Sequence, residues 1–257
     1  MTNLNSDNLL SDENLVKWYQ KISVDDDKFS ELYIARLQTF ESPMLEINCG
    51  TGKIISSLCS SGIECDATEG ALPQLEICKQ LLEKSGKSPL LTNTDLSDFV
   101  TCKKYNTIFM SHGSFCLIGD YEKSINLLKA FYNSLQNHGY LLIDIFSALK
   151  NIILQRNNLW QFAGSAFDID LDEEFVYSYS DSFDLFNQTC NRRVKYELFR
   201  ASVSVASRTD LLQYRWYGAN EFVLMLEKAG FTNIKYEKIF PESESDYSIL
   251  FTAQKSE

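Results

Sequence analysis

Between Met44 and Phe146 short apolar runs alternate with amphipathic stretches, and that rhythm constrains the fold more than any other feature of the chain. Apolar runs at 44–48, 63–68, 90–93, 107–110 and 140–146 read as buried strands, and the segments 51–61, 72–84 and 121–135 between them read as helices. In the first helix Ile54, Ile55, Leu58 and Cys59 share a face, and in the last Tyr121, Ile125, Leu128 and Leu135 do. Pro73 falls in the first turn of the second, where its missing N–H costs nothing. Strands joined by crossover helices pair in parallel, and a mostly parallel sheet has to be covered on both faces. The crossovers are right-handed by strand twist.

The rhythm breaks after Ser147. Residues 151–170 are ambiguous, rich in Asn, Gln and aromatic residues. From 173 to 217 the period becomes two: Phe175, Tyr177 and Tyr179 alternate with polar neighbours, as do Val194, Tyr196 and Leu198, then Val203 and Val205. These are antiparallel strands with one wet face, which need the main domain to pack against. A helix at 220–229 closes on Gly230 at its C′ position, and strands at 234–240 and 248–253 flank the polar run 241–246. Ahead of the sheet, 14–22 and 28–40 read as helices, the second N-capped by Asp27 and carrying Phe29, Leu32, Tyr33, Leu37 and Phe40 at spacings of three and four. The chain divides accordingly into N-terminal helices covering a site (1–42), an α/β domain (43–150 with 218–257) and an inserted, partly antiparallel substrate or lid region (151–217).

Composition narrows the function. The 24 basic against 35 acidic residues leave a net charge of -11, and no block of five basic residues occurs. Nonspecific nucleic-acid binding needs a basic footprint to exchange for counterions, so a small-molecule site is favoured. No apolar stretch approaches the roughly 20 residues needed to cross a bilayer, and 1–13 lacks the basic and apolar regions of a signal peptide. Seven cysteines with no CxxC pair, Cys49, Cys59, Cys65, Cys78, Cys102 and Cys116 mostly within apolar patterns, imply buried free thiols in a reducing cytoplasm. With two histidines and no ligand spacing among His, Cys and Asp, no metal site is expected.

The most informative segment is Leu45-Glu46-Ile47-Asn48-Cys49-Gly50-Thr51-Gly52-Lys53. A buried strand enters a tight glycine turn and then a helix, at the carboxyl end of the first strand, where open sheets bind ligands. Gly50 reaches dihedrals barred to other residues, and Gly52 removes a side chain where a ligand approaches the helix N-terminus. Ile55 stands where a dinucleotide fingerprint has its third glycine, and Ile54 after Gly52-Lys53 excludes a phosphate-binding P-loop. A bare G-x-G pair also occurs in ordinary strand–helix turns.

With Cys65-Asp66-Ala67-Thr68-Glu69, Asn93-Thr94-Asp95-Leu96 and the run Asn106 to Phe115, this segment resembles the class I S-adenosylmethionine-dependent methyltransferases, small-molecule type, well over 33–146 and loosely from 217 onward. The resemblance implies a seven-stranded, mostly parallel Rossmann-like sheet with an antiparallel add-on, and S-adenosylmethionine as cofactor. It implies that Glu46, Asn48, Gly50 and Gly52 form the loop around the methionine part, with Asn48 where the family has its first glycine. Glu69 would hold the ribose hydroxyls, Asp95 the adenine amino group, the Leu96 N–H a ring nitrogen and the Ser111 carbonyl the methionine amino group. Tyr33 is also assigned to the cofactor side.

Methyl transfer from a sulfonium is a direct displacement, which needs alignment and exclusion of water more than covalent help. His112, just past the fourth strand, is the candidate general base; His138 lies at the opposite end of the sheet. Trp18, Tyr19, Tyr177, Tyr179, Tyr196, Arg215 and Tyr217 are the candidates for the acceptor pocket, where aromatic rings enclose an amine; Arg192 or Arg215 would hold an acidic group. The acceptor is a small molecule methylated at nitrogen or oxygen, nitrogen preferred, by a monomer or homodimer with no nucleic-acid or membrane partner. Two other readings stand beside this one. A noncatalytic binding or assembly protein would keep the fold without the cofactor. An RNA methyltransferase would need a basic face near the glycine loop, where only Lys53 and Lys79 stand.

Overall fold

Strands β1 (Met44–Ile47) and β2 (Cys65–Glu69) are buried at every residue and pair in parallel, Met44 opposite Cys65 and Ile47 opposite Thr68. They belong to a computed structural model describing Trp18 and residues 26–84, 86, 88–147, 149–243 and 246–257. On its other edge β1 pairs in parallel with β4 (Tyr105–Met110), and β4 with β5 (Leu135–Phe146); β2 pairs with β3 (Leu91–Asn93). Two later strands, β10 (Phe231–Ser243) and β11 (Asp246–Lys255), add antiparallel to β5, giving seven strands in the order β10-β11-β5-β4-β1-β2-β3.

Helices cover both faces, and side chains of a single strand sort between the two resulting cores. Ile108 and Met110 of β4, with Leu141, Ile143 and Ile145 of β5, face α4 (Tyr121–Ser134) and α6 (Ala219–Ala229), where Leu128, Phe131 and Phe222 pack. Phe109 and Leu142 face the opposite core, built with α1 (Asp26–Leu37), α2 (Lys53–Ser60) and α3 (Leu72–Lys84) through Tyr33, Leu37, Leu58 and Leu82. This doubly covered sheet is what the apolar strand runs require.

Between β5 and α6 lie a short helix α5 (Leu149–Ile153) and a four-stranded antiparallel sheet, β6 (Trp160–Asp168), β7 (Glu173–Asp184), β8 (Thr189–Arg200) and β9 (Val203–Arg215), paired in that order. Its inner face carries Phe175, Val194 and Tyr196 as a small core, with Tyr177 and Leu198 against it, as the period-two pattern requires. The Arg192 guanidinium, at 2.7 and 2.9 Å, grips the fully buried Asp181 carboxylate, which also accepts from Asn151 Nδ2 at 3.1 Å and Tyr214 Oη at 3.3 Å. The Tyr214 ring meets Phe146 edge-on at 4.9 Å, joining this sheet to the end of β5.

Several elements differ from their sequence reading. Val203 and Val205 lie exposed on the wet face of β9, whose buried side is Leu212 and Tyr214. The ambiguous 151–170 stretch resolves into the end of α5 and into β6, where a shift of register between Phe162 and Gly164 spoils the alternation. β5 starts at Leu135, and the terminal hairpin extends through most of the polar run. α1 begins at Asp26, which puts Asp27 inside the helix, and ends at Leu37 before a turn. α2 starts at Lys53 because Gly52 is left-handed, at φ 86°. Gly230 closes α6 as expected, at φ 107°. The helix read over 14–22, Trp18 apart, lies outside the described residues. Among the described residues no helix is long and apolar enough to cross a membrane.

Arg192 is mostly buried, so removing its partner strands a guanidinium. Asp181→Ala should cost about 3–5 kcal/mol and loosen the add-on sheet before the main one, checked by urea unfolding with amide exchange as the local probe.

Candidate active site

Three turns at the carboxyl ends of the parallel strands build the site, and each is held by a buried carboxyl group. The first is the glycine loop. Asn48, Gly50 and Gly52 all take left-handed backbone, at φ 59, 58 and 86°. Asn is among the residues that enter this region most readily, so Asn48 makes the turn that its place calls for. Below the loop Glu46 Oε2 accepts the Ile55 N–H at 3.0 Å, satisfying a first-turn donor of α2. Burial pushes the Glu46 carboxyl well up, against that hydrogen bond.

The second turn follows β2. Glu69 Oε2 accepts the Gly50 N–H and its Oε1 the Ala71 N–H, both at 2.8 Å. Burial raises this carboxyl too, while the backbone N–H groups pull it down. A carboxylate offers about four acceptor positions; the Ala71, Gly50 and Gly70 N–H groups bear on it, which leaves room for a ligand hydroxyl without giving up the loop. Asn93 Nδ2 binds the carbonyls of Glu69 and Gly70 at 2.8 and 2.9 Å, and a Cβ on Gly70 would lie 3.6 Å from Asp95 Cα. Asp95, exposed, and Leu96, half-buried, thereby stand beside the Glu69 turn.

Gly52 has a different role from the one read in the sequence. A Cβ there would fall 2.3 Å from Cys78 Sγ, so the room it leaves is filled by α3 rather than held open for a ligand. Cys49 and Cys78 sulfurs lie 3.9 Å apart beneath the loop. All seven cysteines are free thiols, and of them Cys102 alone is exposed.

The third turn ends β4. Ser111 is buried, and its carbonyl accepts the Ser114 N–H at 3.2 Å and hydroxyl at 2.7 Å. His112 and Gly113 follow with left-handed backbone, at φ 59 and 62°. The exposed His112 ring lies 4.5 Å from Phe29 of α1, and its Nδ1 is 2.9 Å from Ser111 Oγ. Sequence reasoning missed the group behind this turn, Asp144 of β5. Its Oδ1 accepts the Tyr33 hydroxyl at 2.6 Å and its Oδ2 the Gly113 N–H at 2.7 Å. The signal was present: one acid inside the apolar run Leu141 to Phe146 has to find buried donors. His138, at φ 65°, lies at the far end of the sheet with Glu257.

The add-on sheet carries an aromatic stack on its inner face. Trp18 stacks on Phe175 at 5.8 Å, Phe175 on Tyr196 at 5.9 Å and Tyr196 on Tyr177 at 5.5 Å. Arg192 lies over the Tyr179 ring at 4.1 Å. Two acceptor candidates stand apart from this stack. The Tyr217 hydroxyl is buried on Ser124 Oγ at 2.9 Å among Phe115 and Phe222, and Arg215 binds the Asn187 carbonyl, Gln188 and Glu221. Both join the add-on to the main domain. Tyr19 lies outside the described residues.

Burial lifts Asp144 to about 7, against the pull of the Tyr33 and Gly113 hydrogen bonds. The folded chain then keeps this proton after the unfolded chain has lost it. Asp144 therefore favours the folded state fully below about pH 4, and the gain is lost as pH rises toward 7. Urea unfolding at about pH 5 and about pH 8 should find more stability lost over that interval by the wild-type chain than by Asp144→Asn.

No protein-family model matches the chain, and no curated protein matches its sequence. Solved structures do match in shape. An S-adenosylmethionine-dependent methyltransferase from Clostridium acetobutylicum superposes with a TM-score of 0.73 at 18% identity, over 90% of this chain and 92% of that one. The CcbJ methyltransferase from Streptomyces caelestis gives 0.72 at 15% identity over 90% and 95%. The sugar N-methyltransferase KedS8 from Streptoalloteichus sp gives 0.68 at 14% identity over 90% and 86%. In strand order, helical cover and inserted antiparallel sheet, the chain has the fold of the class I S-adenosylmethionine-dependent methyltransferases.

Proposed function

We propose that this protein transfers a methyl group from S-adenosylmethionine to a nitrogen or oxygen of a small molecule. One observation carries the reading: Glu69, at the end of β2, takes the Gly50 N–H of the loop ending β1 and keeps acceptor capacity beyond its backbone N–H partners. That arrangement suits a ribose beside a glycine loop, and Asn48 takes the left-handed backbone that the turn calls for. Asn48 stands where the family has its first glycine, so its left-handed backbone supports the enzyme reading over a noncatalytic protein. Asp95 and Leu96 would face the adenine, and Ser111 the methionine end, with Glu46 and Gly52 shaping the loop from below.

When bound, the cofactor supplies an electrophilic methyl carbon on a cationic sulfur. The chain's part is to hold the nucleophile in line and keep water out. His112 stands at the end of β4, where its imidazole would accept the acceptor's proton. Trp18, Tyr177, Tyr179 and Tyr196 offer an aromatic wall for an amine. That wall, the chain's acidity and the likeness to a sugar N-methyltransferase support nitrogen over oxygen and a small acceptor over RNA. The free thiols support a cytoplasmic setting, for a monomer or homodimer.

Calorimetric titration with S-adenosylhomocysteine should give saturable binding well below millimolar, and Glu69→Ala should weaken it by about 1–3 kcal/mol. Unchanged affinity in that variant would remove the ribose assignment. Methyl-labelled cofactor incubated with fractionated metabolites should transfer label to a small molecule. With that acceptor at saturation, His112→Asn should slow turnover by about 100-fold; a normal rate would remove the general base.

A further inference from the structure

Asp144 is fully buried in β5 and joins two elements distant in sequence. One oxygen takes the hydroxyl of Tyr33 from α1, 111 positions away, and the other takes the Gly113 N–H from the turn ending β4. That turn is tightly confined: two consecutive residues are left-handed, and a Cβ on Gly113 would lie 2.6 Å from a Phe146 ring carbon. A non-glycine residue in this region stores strain unless its surroundings hold it there, and His112 is such a residue. On α1, Phe29 precedes Tyr33 by one helical turn, stacks on it at 5.4 Å and flanks the His112 ring at 4.5 Å. One carboxyl group thus restrains both supports of the imidazole, the backbone beneath it and the helix beside it.

We infer that Asp144 and Tyr33 are a positioning pair that sets the His112 ring, and that Tyr33 spends its hydroxyl on this task rather than on the cofactor. The effect on rate rests on the methyl-transfer reading; the effect on the ring does not.

The contact holds in either protonation state. Oδ2 faces an N–H donor, so a proton on Asp144 sits on Oδ1 and donates to the Tyr33 oxygen. Tyr33 then turns its own hydrogen to the Met110 carbonyl, 3.3 Å away. Asparagine can copy this neutral form, its carbonyl accepting from Gly113 and its amide donating to Tyr33. Alanine cannot, and phenylalanine at position 33 breaks the chain at its middle.

The test follows the histidine ring protons by NMR, with a His138→Asn variant identifying the one other histidine. In the wild-type chain the Phe29 ring current displaces the His112 signals, and Asp144→Asn should retain that displacement. Tyr33→Phe and Asp144→Ala should move the signals toward those of an unstacked histidine. Turnover in Tyr33→Phe should fall about tenfold with S-adenosylhomocysteine affinity within about twofold of wild type, and Asp144→Asn should keep most of the rate. If Asp144→Ala does not fold, Tyr33→Phe carries the same test. A folded Tyr33→Phe chain with unmoved His112 signals overturns the inference, whether its cofactor affinity drops or not. So does an Asp144→Asn chain as impaired as Tyr33→Phe. Absence of any transfer by the wild-type chain would instead sink the proposed reaction and leave the ring measurement standing.

Discussion

A carboxyl group buried at the end of a strand must find hydrogen-bond donors, and in this fold the nearest are the backbone N–H groups of the turns that leave the sheet. Glu46, Glu69 and Asp144 each meet that demand in the same way. They bind Ile55, then Gly50 and Ala71, then Gly113, and so fasten the three turns that make up the site. Each carboxyl is raised by burial and pulled back by those donors. The turns therefore do not depend on their own sequence alone. Their shape is written partly in acids of the same or the neighbouring strand.

This arrangement bears on the kind of ligand the site suits. A neutral guest leaves the three carboxyls paying for their own desolvation, whereas a cation among them favours their ionised forms. A sulfonium donor, and an ammonium acceptor before it loses its proton, both fit that environment. The same acids would penalise a phosphate-rich ligand, in keeping with a loop that has neither a third glycine nor a P-loop Ser or Thr. Backbone N–H groups that would otherwise attract an anion are already taken, the Gly50 N–H by Glu69 and the Gly113 N–H by Asp144.

The sheet was legible in the sequence because its strands are buried on both faces and its helices have one apolar side; burial speaks directly through residue type. The aromatic inner face of the add-on sheet was legible for a related reason, since period two survives wherever one face stays wet. What escaped was pairing at a distance. Tyr33 lies on an apolar helical stripe, and nothing local distinguishes a tyrosine that lines a pocket from one that reaches Asp144. Gly52 and Tyr217 were misread alike: the Cys78 sulfur and the Ser124 hydroxyl that define them lie 26 and 93 positions along the chain. β6 was obscured by a change of register at Gly164, and by Trp160, Phe162 and Phe167, whose apolar side chains face outward.

The add-on sheet obeys a different economy from the main domain. Its own core amounts to Phe175, Val194 and Tyr196, too little to hold four strands in water. Further cohesion comes from the Arg192–Asp181 pair, from Tyr214 against Phe146, from Arg215 on Glu221 and from Trp18 stacking over Phe175. An ion pair of this kind contributes less to net stability than its contacts suggest, but it enforces one register, because any slip leaves a buried charge without its partner. Trp18 comes from the N-terminal segment, so the surface proposed to receive the acceptor is completed by the same part of the chain that bears α1. Aromatic face and imidazole are therefore both packed from this end of the chain, the one by Trp18 on Phe175 and the other by Phe29 of α1 on His112.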